Sequence, residues 1–304
     1  MAVHIARPRL NALRVQFEAK FQEAFQNVGT WNETLATGIP SEAESNLYGF
    51  IENEVEIREW VGERELQVLE EQDYRLANKH WESSVRLNRD RIADDTLGMF
   101  VDVALPMFAT RVAKFHDRRL IDFLLNNATA YDSVDFFSVA GRSYANSGTA
   151  TLAVDGAAFS ATRAAMLSFV DLKGEPRYIG EKFTLVVPPQ LERIARLVVE
   201  AEWNSHTSTQ MGTNVQKGFA EVLVVPELAA NPNRWFLAAT GLPLKPFIVQ
   251  NRSMPQMIAL DDPNMGGPPF LSNENVYGVD FRSAYGVSFP WLMYANDPDA
   301  AMGA

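Results

Sequence analysis

The sequence predicts an α+β fold, and three stretches carry the prediction. Between Ile57 and Asn88, charged residues are interleaved with Trp60, Val61, Leu66, Val68, Leu69, Tyr74, Leu76, Trp81, Val85 and Leu87. Apolar and polar residues tend to alternate over Glu65–Glu70 and Ser83–Arg89, as half-buried strands require. Next, Leu97, Val101, Ala104, Leu105, Phe108, Val112 and Phe115 recur at spacings of three or four, one face of a helix. Later, the apolar run Phe183–Val187 leads through Pro188-Pro189 into a second helical stripe of Leu191, Ile194, Ala195 and Val198.

Taken from the start, Asn11 to Val28 is an amphipathic helix with Leu13, Phe17, Phe21, Ala24, Phe25 and Val28 on one stripe. Burying one phenylalanine ring contributes about 1.5–3 kcal/mol, so this face must dock on something. Gly29-Thr30-Trp31 ends the helix, and Gly38-Ile39-Pro40-Ser41 marks a loop leading to Tyr48-Gly49-Phe50. The interleaved stretch then reads as an extended hairpin with its turn near Glu71, Gln72 and Asp73. A lone two-stranded ribbon is marginal in water, so either the same chain or a second copy must cover it.

Ala93-Asp94-Asp95-Thr96 supplies carboxylates and a hydroxyl to cap the long helix that follows. Pro106 lies inside the stripe and predicts a kink or a split, because it removes a donor and crowds the preceding turn. With a second segment from Asp117 to Asn126, about 30 residues at about 1.5 Å each make a spine of roughly 45 Å.

Beyond the spine, Phe136–Gly148 reads as a loop, and a helix from Asp155-Gly156 carries Phe159, Met166, Phe169 and Val170 inward. Glu202–Gly218 is polar without apolar periodicity and predicts a mobile loop. Strands are expected at Glu221–Val225, Trp235–Ala239 and Phe247–Gln250, with a last pair across Val276–Tyr294 after the loop Asp262–Pro269.

The totals narrow the function. At 304 residues there is ample material for a core, and the absence of cysteine excludes disulfides, thiolate metal sites and cysteine nucleophiles. No apolar run suits a signal peptide or a membrane span, which predicts a soluble cytoplasmic product. A net charge of −11 argues against a surface that grips nucleic acid; Arg86, Arg89 and Arg91 cluster, but Asp90, Asp94 and Asp95 neutralise them.

Chemistry-bearing patterns are missing. His4, His80, His116 and His206 are scattered without metal-ligand spacing, and no nucleophile elbow, phosphate-binding loop or dinucleotide fingerprint occurs. The acidic doublets, such as Glu70-Glu71 and Asp261-Asp262, point to opposite faces if they lie on strands, so none makes a persuasive acid–base pair. The expectation is no catalytic residue, no metal and no cofactor.

The stretch IREWVGERELQVLEEQDYRLANKHWESSVRLNRDRIADDTLGMF resembles the centre of the Mu-type phage major head subunit family. WNETLATGIPSE, LVVPPQLERIARLV and NVYGVDFRSAYGVSFPWLMY each resemble further stretches of that family, so the likeness is nearly chain-long. It implies the Hong Kong 97-type capsid fold: an N-terminal arm over residues 1–57, an extended loop over 58–93, a peripheral domain with the spine helix over 94–182, an axial domain over 183–251, and return strands over 252–304. It also implies a capsid protein that self-assembles into pentamers and hexamers, closing an icosahedral shell around double-stranded phage DNA without reading its sequence. A separate scaffold protein, a portal and head accessory proteins are the implied partners, with no membrane; assembly takes place in the host cytoplasm and the product is the virion head.

The resemblance points to subunit contacts at Arg58, Trp60, Glu63, Arg64 and Trp81 in the extended loop, and at Phe17, Phe21 and Phe25 in the arm helix. Lys79 is the loop's only lysine, and nothing singles it out for a cross-link. Rival readings are an encapsulin-like compartment of the same fold, a soluble carboxylate-based hydrolase, and a peptide- or glycan-binding module.

Overall fold

The computed structural model describes residues 7–51, 71–93, 99–171, 173–207, 210–262, 264 and 266–302. Helix α1 (Arg7–Gln26) is followed by the short α2 (Asn32–Leu35) and by strands β1 (Ala36–Pro40), β2 (Ser45–Ile51), β3 (Glu71–Ala77) and β4 (Lys79–Asn88). After α3 (Arg89–Ala93), a π-helical turn over Met99–Ala104 runs into α4 (Leu105–Ala113) and α5 (Phe115–Asn126). Then come β5 (Ser147–Gly148), α6 (Ala157–Leu167), β6 (Phe183–Val187), α7 (Glu192–Val199), β7 (Trp203–Thr207), β8 (Gln210–Thr213), β9 (Glu221–Val224) and β10 (Trp235–Ala239). Strand β11 (Phe247–Leu260), α8 (Pro268–Leu271), β12 (Glu274–Val287) and β13 (Met293–Asn296) complete the order. Among the described residues, no helix is long and apolar enough to cross a membrane.

Two sheets organise the molecule. The five-stranded one has the order β5-β13-β10-β6-β9 and is buried on both faces. Leu185, Val187, Trp235 and Leu237 face a core that includes Phe159 and Met166 of α6 and Ala195 and Val198 of α7. Their neighbours Val186, Phe236 and Ala238 face a second core with Leu120 and Leu124 of α5 and with Phe136, Phe137 and Phe247. Strands covered on both sides lose the polar half of their alternation, which is why FTLVV and WFLAA are continuously apolar.

The second sheet has the order β1-β11-β12-β4. Its long β11–β12 pair is antiparallel, while β1 joins β11 in parallel, Ala36 facing Phe247. One face alternates Tyr277, Val279 and Phe281 inward against α1 and α4. The helices lie on one side of this sheet; on the other, the β2–β3 ribbon covers Ile248, Gln250, Ala284 and Gly286, while Ile258 further along β11 is exposed.

Several expectations need correction. Glu71, Gln72 and Asp73 do not lie at a turn: they belong to β3, which pairs with β2 so that Ile51 faces Glu71 and Ser45 faces Ala77. The hairpin is therefore β2–β3, and residues 52–70 between them lie outside the described residues. Ser83–Arg89 belongs mostly to β4, whose partner is β12 (Asn88 facing Glu274), rather than to that hairpin. Alternation marks a strand but not its neighbour, so periodicity alone could not choose the partner.

The polar stretch Glu202–Gly218 also holds a small ribbon, with Trp203 of β7 facing Thr213 of β8. Strand β11 runs across residue 251 to Leu260, with its register against β12 shifting between Asn251 and Ser253 and between Ser253 and Gln256. Met293–Asn296 does not return with β12; it pairs with β10 in the other sheet. The expected cap at Asp94, Asp95 and Thr96 lies outside the described residues.

The spine is not split at Pro106: the π turn passes directly into α4, and the break comes at Lys114, between α4 and α5. Pro106 sits in the first turn of α4, where a missing N–H costs least, and the turn before it has widened to π geometry. Backbone bonding nevertheless continues through Lys114, which donates to Thr110 and accepts from Arg118. Asn127, at φ 50° in the left-handed region, ends the spine.

The loop beyond it is built from side chains. Buried Asn146 donates to the carbonyls of Phe136, Pro290 and Met293 and accepts from the Ser138 N–H. Arg142 holds Asp132 at 2.8 Å, both largely buried.

Candidate assembly surface

Arm helix α1 lies along α4 and docks its aromatic face within its own chain. Phe17 and Phe21 are both 0% exposed. Phe17 meets the edge of Tyr277 at 5.3 Å, and Phe21 contacts Phe25 at 6.0 Å and Phe108 at 6.1 Å. Lys20 reaches Asp102 at 3.8 Å across the helix pair. The three rings expected at a subunit contact thus hold the arm to the spine of the same molecule, and Phe17 and Phe21 leave no ring surface for a neighbour.

Trp81 is likewise held within the chain. On β4 its ring lies 4.9 Å from Phe115 and 6.2 Å from Tyr285, the Arg119 guanidinium sits 5.1 Å from its centroid, and its indole N–H donates to the Ser283 carbonyl at 3.2 Å. It welds the spine to the sheet instead of standing on an extended loop. Arg58, Trp60, Glu63 and Arg64 lie outside the described residues.

Next to Trp81, His116 projects from α5 with Nδ1 2.8 Å from the Tyr285 hydroxyl. Ser283 donates to that hydroxyl oxygen at 2.9 Å, which leaves the tyrosine O–H to donate to the imidazole. Burial holds His116 well below the ordinary range, at about 4, and pushes Tyr285 up to about 12. Asp117, one residue on, faces the other way: it accepts the backbone and side-chain N–H groups of Asn32 at 2.9 Å each, while burial still raises its carboxyl. These contacts fasten α2 to the spine.

The β2–β3 ribbon is anchored by one face. Tyr48, Phe50, Tyr74 and Leu76 turn inward, and Phe50 stacks on Tyr131 at 4.8 Å and meets Phe289 at 5.0 Å. Leu76 and Tyr74 cross β12 at Gly286, where an added Cβ would lie 2.7 Å from Leu76 Cδ1 and 3.0 Å from Tyr74. At the ribbon's root, fully buried Gln250 accepts from Tyr48 Oη at 2.7 Å and donates to Asn78 Oδ1 at 2.7 Å. The opposite face of the ribbon carries Leu47, Asp73 and Arg75 into the open.

Other apolar side chains stand exposed elsewhere: Met107 on the spine, Ile258 on β11, and Phe270 and Leu271 on α8, the last two 72% and 79% exposed. Sequence reading missed Gly286 and Gln250, since nothing local distinguishes a glycine crossed by another strand or a glutamine at a ribbon's root. Among the described residues, no group of three His, Cys, Asp or Glu could hold a metal ion.

A family profile described as the Mu-like prophage major head subunit gpT matches residues 10–154, 143–228 and 229–300. The chain belongs to that family. The major capsid protein of Escherichia phage Mu is 28% identical over 182 residues, 59% of this chain and 57% of that protein. The Mu-like prophage FluMu major head subunit of Haemophilus influenzae is 22% identical over 284 residues, 93% of this chain and 71% of that protein. The match with the Mu protein thus spans little more than half of its length.

Among solved structures, a chain from the procapsid of bacteriophage JBD30 has a TM-score of 0.58 at 24% identity, covering 96% of this chain and 76% of that one. A chain from Microbacterium phage Oxtober96 has a TM-score of 0.58 at 12% identity, covering 89% and 91%. This gpT family member therefore has the Hong Kong 97-type capsid fold. The family is one of structural head subunits, in keeping with a chain whose side chains are organised for packing.

Proposed function

We propose that this chain is the building block of a phage head: copies assemble into pentamers and hexamers and close an icosahedral shell around double-stranded DNA. The observation that carries the reading is the head-subunit family match running from residue 10 to residue 300. A separate scaffold, a portal and accessory proteins would act on the shell in the host cytoplasm, and the finished location is the virion.

Within this reading, the segment between β2 and β3 reaches a neighbouring subunit through Arg58, Trp60, Glu63 and Arg64. Both signs of charge there register the contact, and many modest interfaces closed by symmetry give a stable shell without any one being strong. Phe17, Phe21, Phe25 and Trp81 serve the interface indirectly, by stiffening the platform from which the ribbon projects.

The test is negative-stain microscopy and sedimentation of the purified protein, alone and with its scaffold. Rings of five and six and closed shells are expected. Material that stays monomeric under every assembly condition overturns the proposal. Trp60→Ala and Arg64→Ala should each abolish or distort shells; normal particles from both variants would remove the role assigned to the segment.

A further inference from the structure

We propose that the solvent face of the spine helix carries a contact site for the phosphate backbone of duplex DNA, formed by Arg111, Lys114 and Arg118. The three side chains follow one another at spacings of three and four along α4 and α5, across a junction where backbone hydrogen bonds continue. They therefore share one face and span about 10 Å along the axis. The side chains between them turn away: Val112 and Ala113 are buried, and Phe115 packs on Trp81 and Phe281. Arg111 and Arg118 are exposed and Lys114 half-exposed.

Carboxylates elsewhere in this acidic chain neutralise many surface cations. Arg196 is clamped between Glu192 and Glu200, Lys182 reaches Glu221, Lys217 reaches Glu202, and the neighbouring Arg119 is held by Asp122 at 2.8 Å. No carboxylate among the described residues pairs with Arg111, Lys114 or Arg118. The nearby acids are committed elsewhere: Asp117 to α2, Asp122 to Arg119 and Asp102 to Lys20. In a chain of net charge −11, three adjacent unneutralised cations on one rigid face make a local positive strip.

The strip fits a regular polyanion. A duplex presents one negative charge per about 1.7 Å of axis, so a 10 Å line of cations always finds phosphates, whatever the sequence. A protein partner would want an apolar centre with a polar rim, whereas the exposed apolar side chains on this face, Val103 and Met107, precede Arg111 at one end of the strip and none stands between the three charges. Three contacts are weak alone, which suits a wall repeated many times around tightly packed DNA. The assignment rests on the head-shell reading above and gives the wall an inner face: the side that carries the spine.

The experiment measures binding of a fluorescent 30-base-pair duplex to the full chain by anisotropy across a salt series. The triple variant Arg111→Gln, Lys114→Gln, Arg118→Gln is compared with a control of equal charge change, Lys173→Gln, Arg193→Gln, Lys217→Gln. Each neutralised phosphate contributes a slope of about −0.9 in log K against log salt, so the spine variant should lose two to three units of slope while the control keeps them. Equal slopes in all three proteins, or a loss as large in the control, overturn the site. Unchanged DNA binding together with lost binding to a polyglutamate peptide gives the strip to an acidic polypeptide and also overturns it. Microscopy of the same variants separates the two claims: shells that form normally while the slope is unchanged reject this site and leave the shell reading intact.

Discussion

His116 is a single residue whose environment makes a pH-dependent statement. Its imidazole is held at about 4 in the folded chain against 6.5 unfolded, so between these values the unfolded state binds more protons. Stability contributed by keeping it neutral is complete above about pH 6.5 and drains as pH falls toward 4, on the order of 3 kcal/mol in all. Asp117 opposes this at the acid end, because burial raises its carboxyl and the folded state then takes up the proton first. Urea midpoints measured from pH 7 to pH 4.5 should fall for the native chain and fall less for His116→Gln. Asn146 makes a sharper case: Asn146→Ala leaves three carbonyls and one N–H without their partner, at about 1–3 kcal/mol for each group that water cannot reach. Denaturant unfolding at neutral pH reads that loss directly.

Among the elements, the β2–β3 ribbon depends on two residues outside itself. Gly286→Ala places a methyl group against Leu76 and Tyr74, an overpacking cost of about 1–3 kcal/mol, and a double-mutant cycle with Leu76→Ala should recover part of it. Gln250→Ala removes the bonds to Tyr48 and Asn78 at the ribbon's root. Hydrogen exchange across Ser45–Ile51 and Glu71–Ala77 should then quicken by about tenfold or more while α5 keeps its protection.

The same elements show how much was legible in advance. Phe183–Val187, the two prolines and helix α7 were readable because their signals are local and contiguous. The aromatic face of α1 was visible too, but not what covers it: Tyr277 and Phe108 lie far along the chain. Pairing partners failed for the same reason. Alternation over 83–89 marks a strand but not its neighbour, and only three-dimensional packing assigns β3 to β2 and β4 to β12; residues 65–70 lie outside the described residues. The π turn was hidden because a stripe at spacings of three and four reads as regular helix whichever way one turn is wound.

For the whole molecule, the open surfaces outline what assembly would cover. Among the described residues, the part of the four-stranded sheet around the exposed Ile258, the outer face of the ribbon and the exposed Phe270–Leu271 tip have no element upon them. Removing such surface from water in a closed particle binds the folded state and not the unfolded one, so melting should rise on assembly. Calorimetry of shells against dissociated subunits in the same buffer is expected to show the shells melting higher.

The sheet that joins Ala36 to Phe247, and Lys79 to Ser283, has a kinetic price for the newly made polypeptide. Closing loops of that length must precede any reward from the strands they bring together, so refolding from denaturant is expected on a scale of seconds rather than milliseconds. During that interval β11 and β12 expose unpaired edges, and aggregation competes with folding of the subunit.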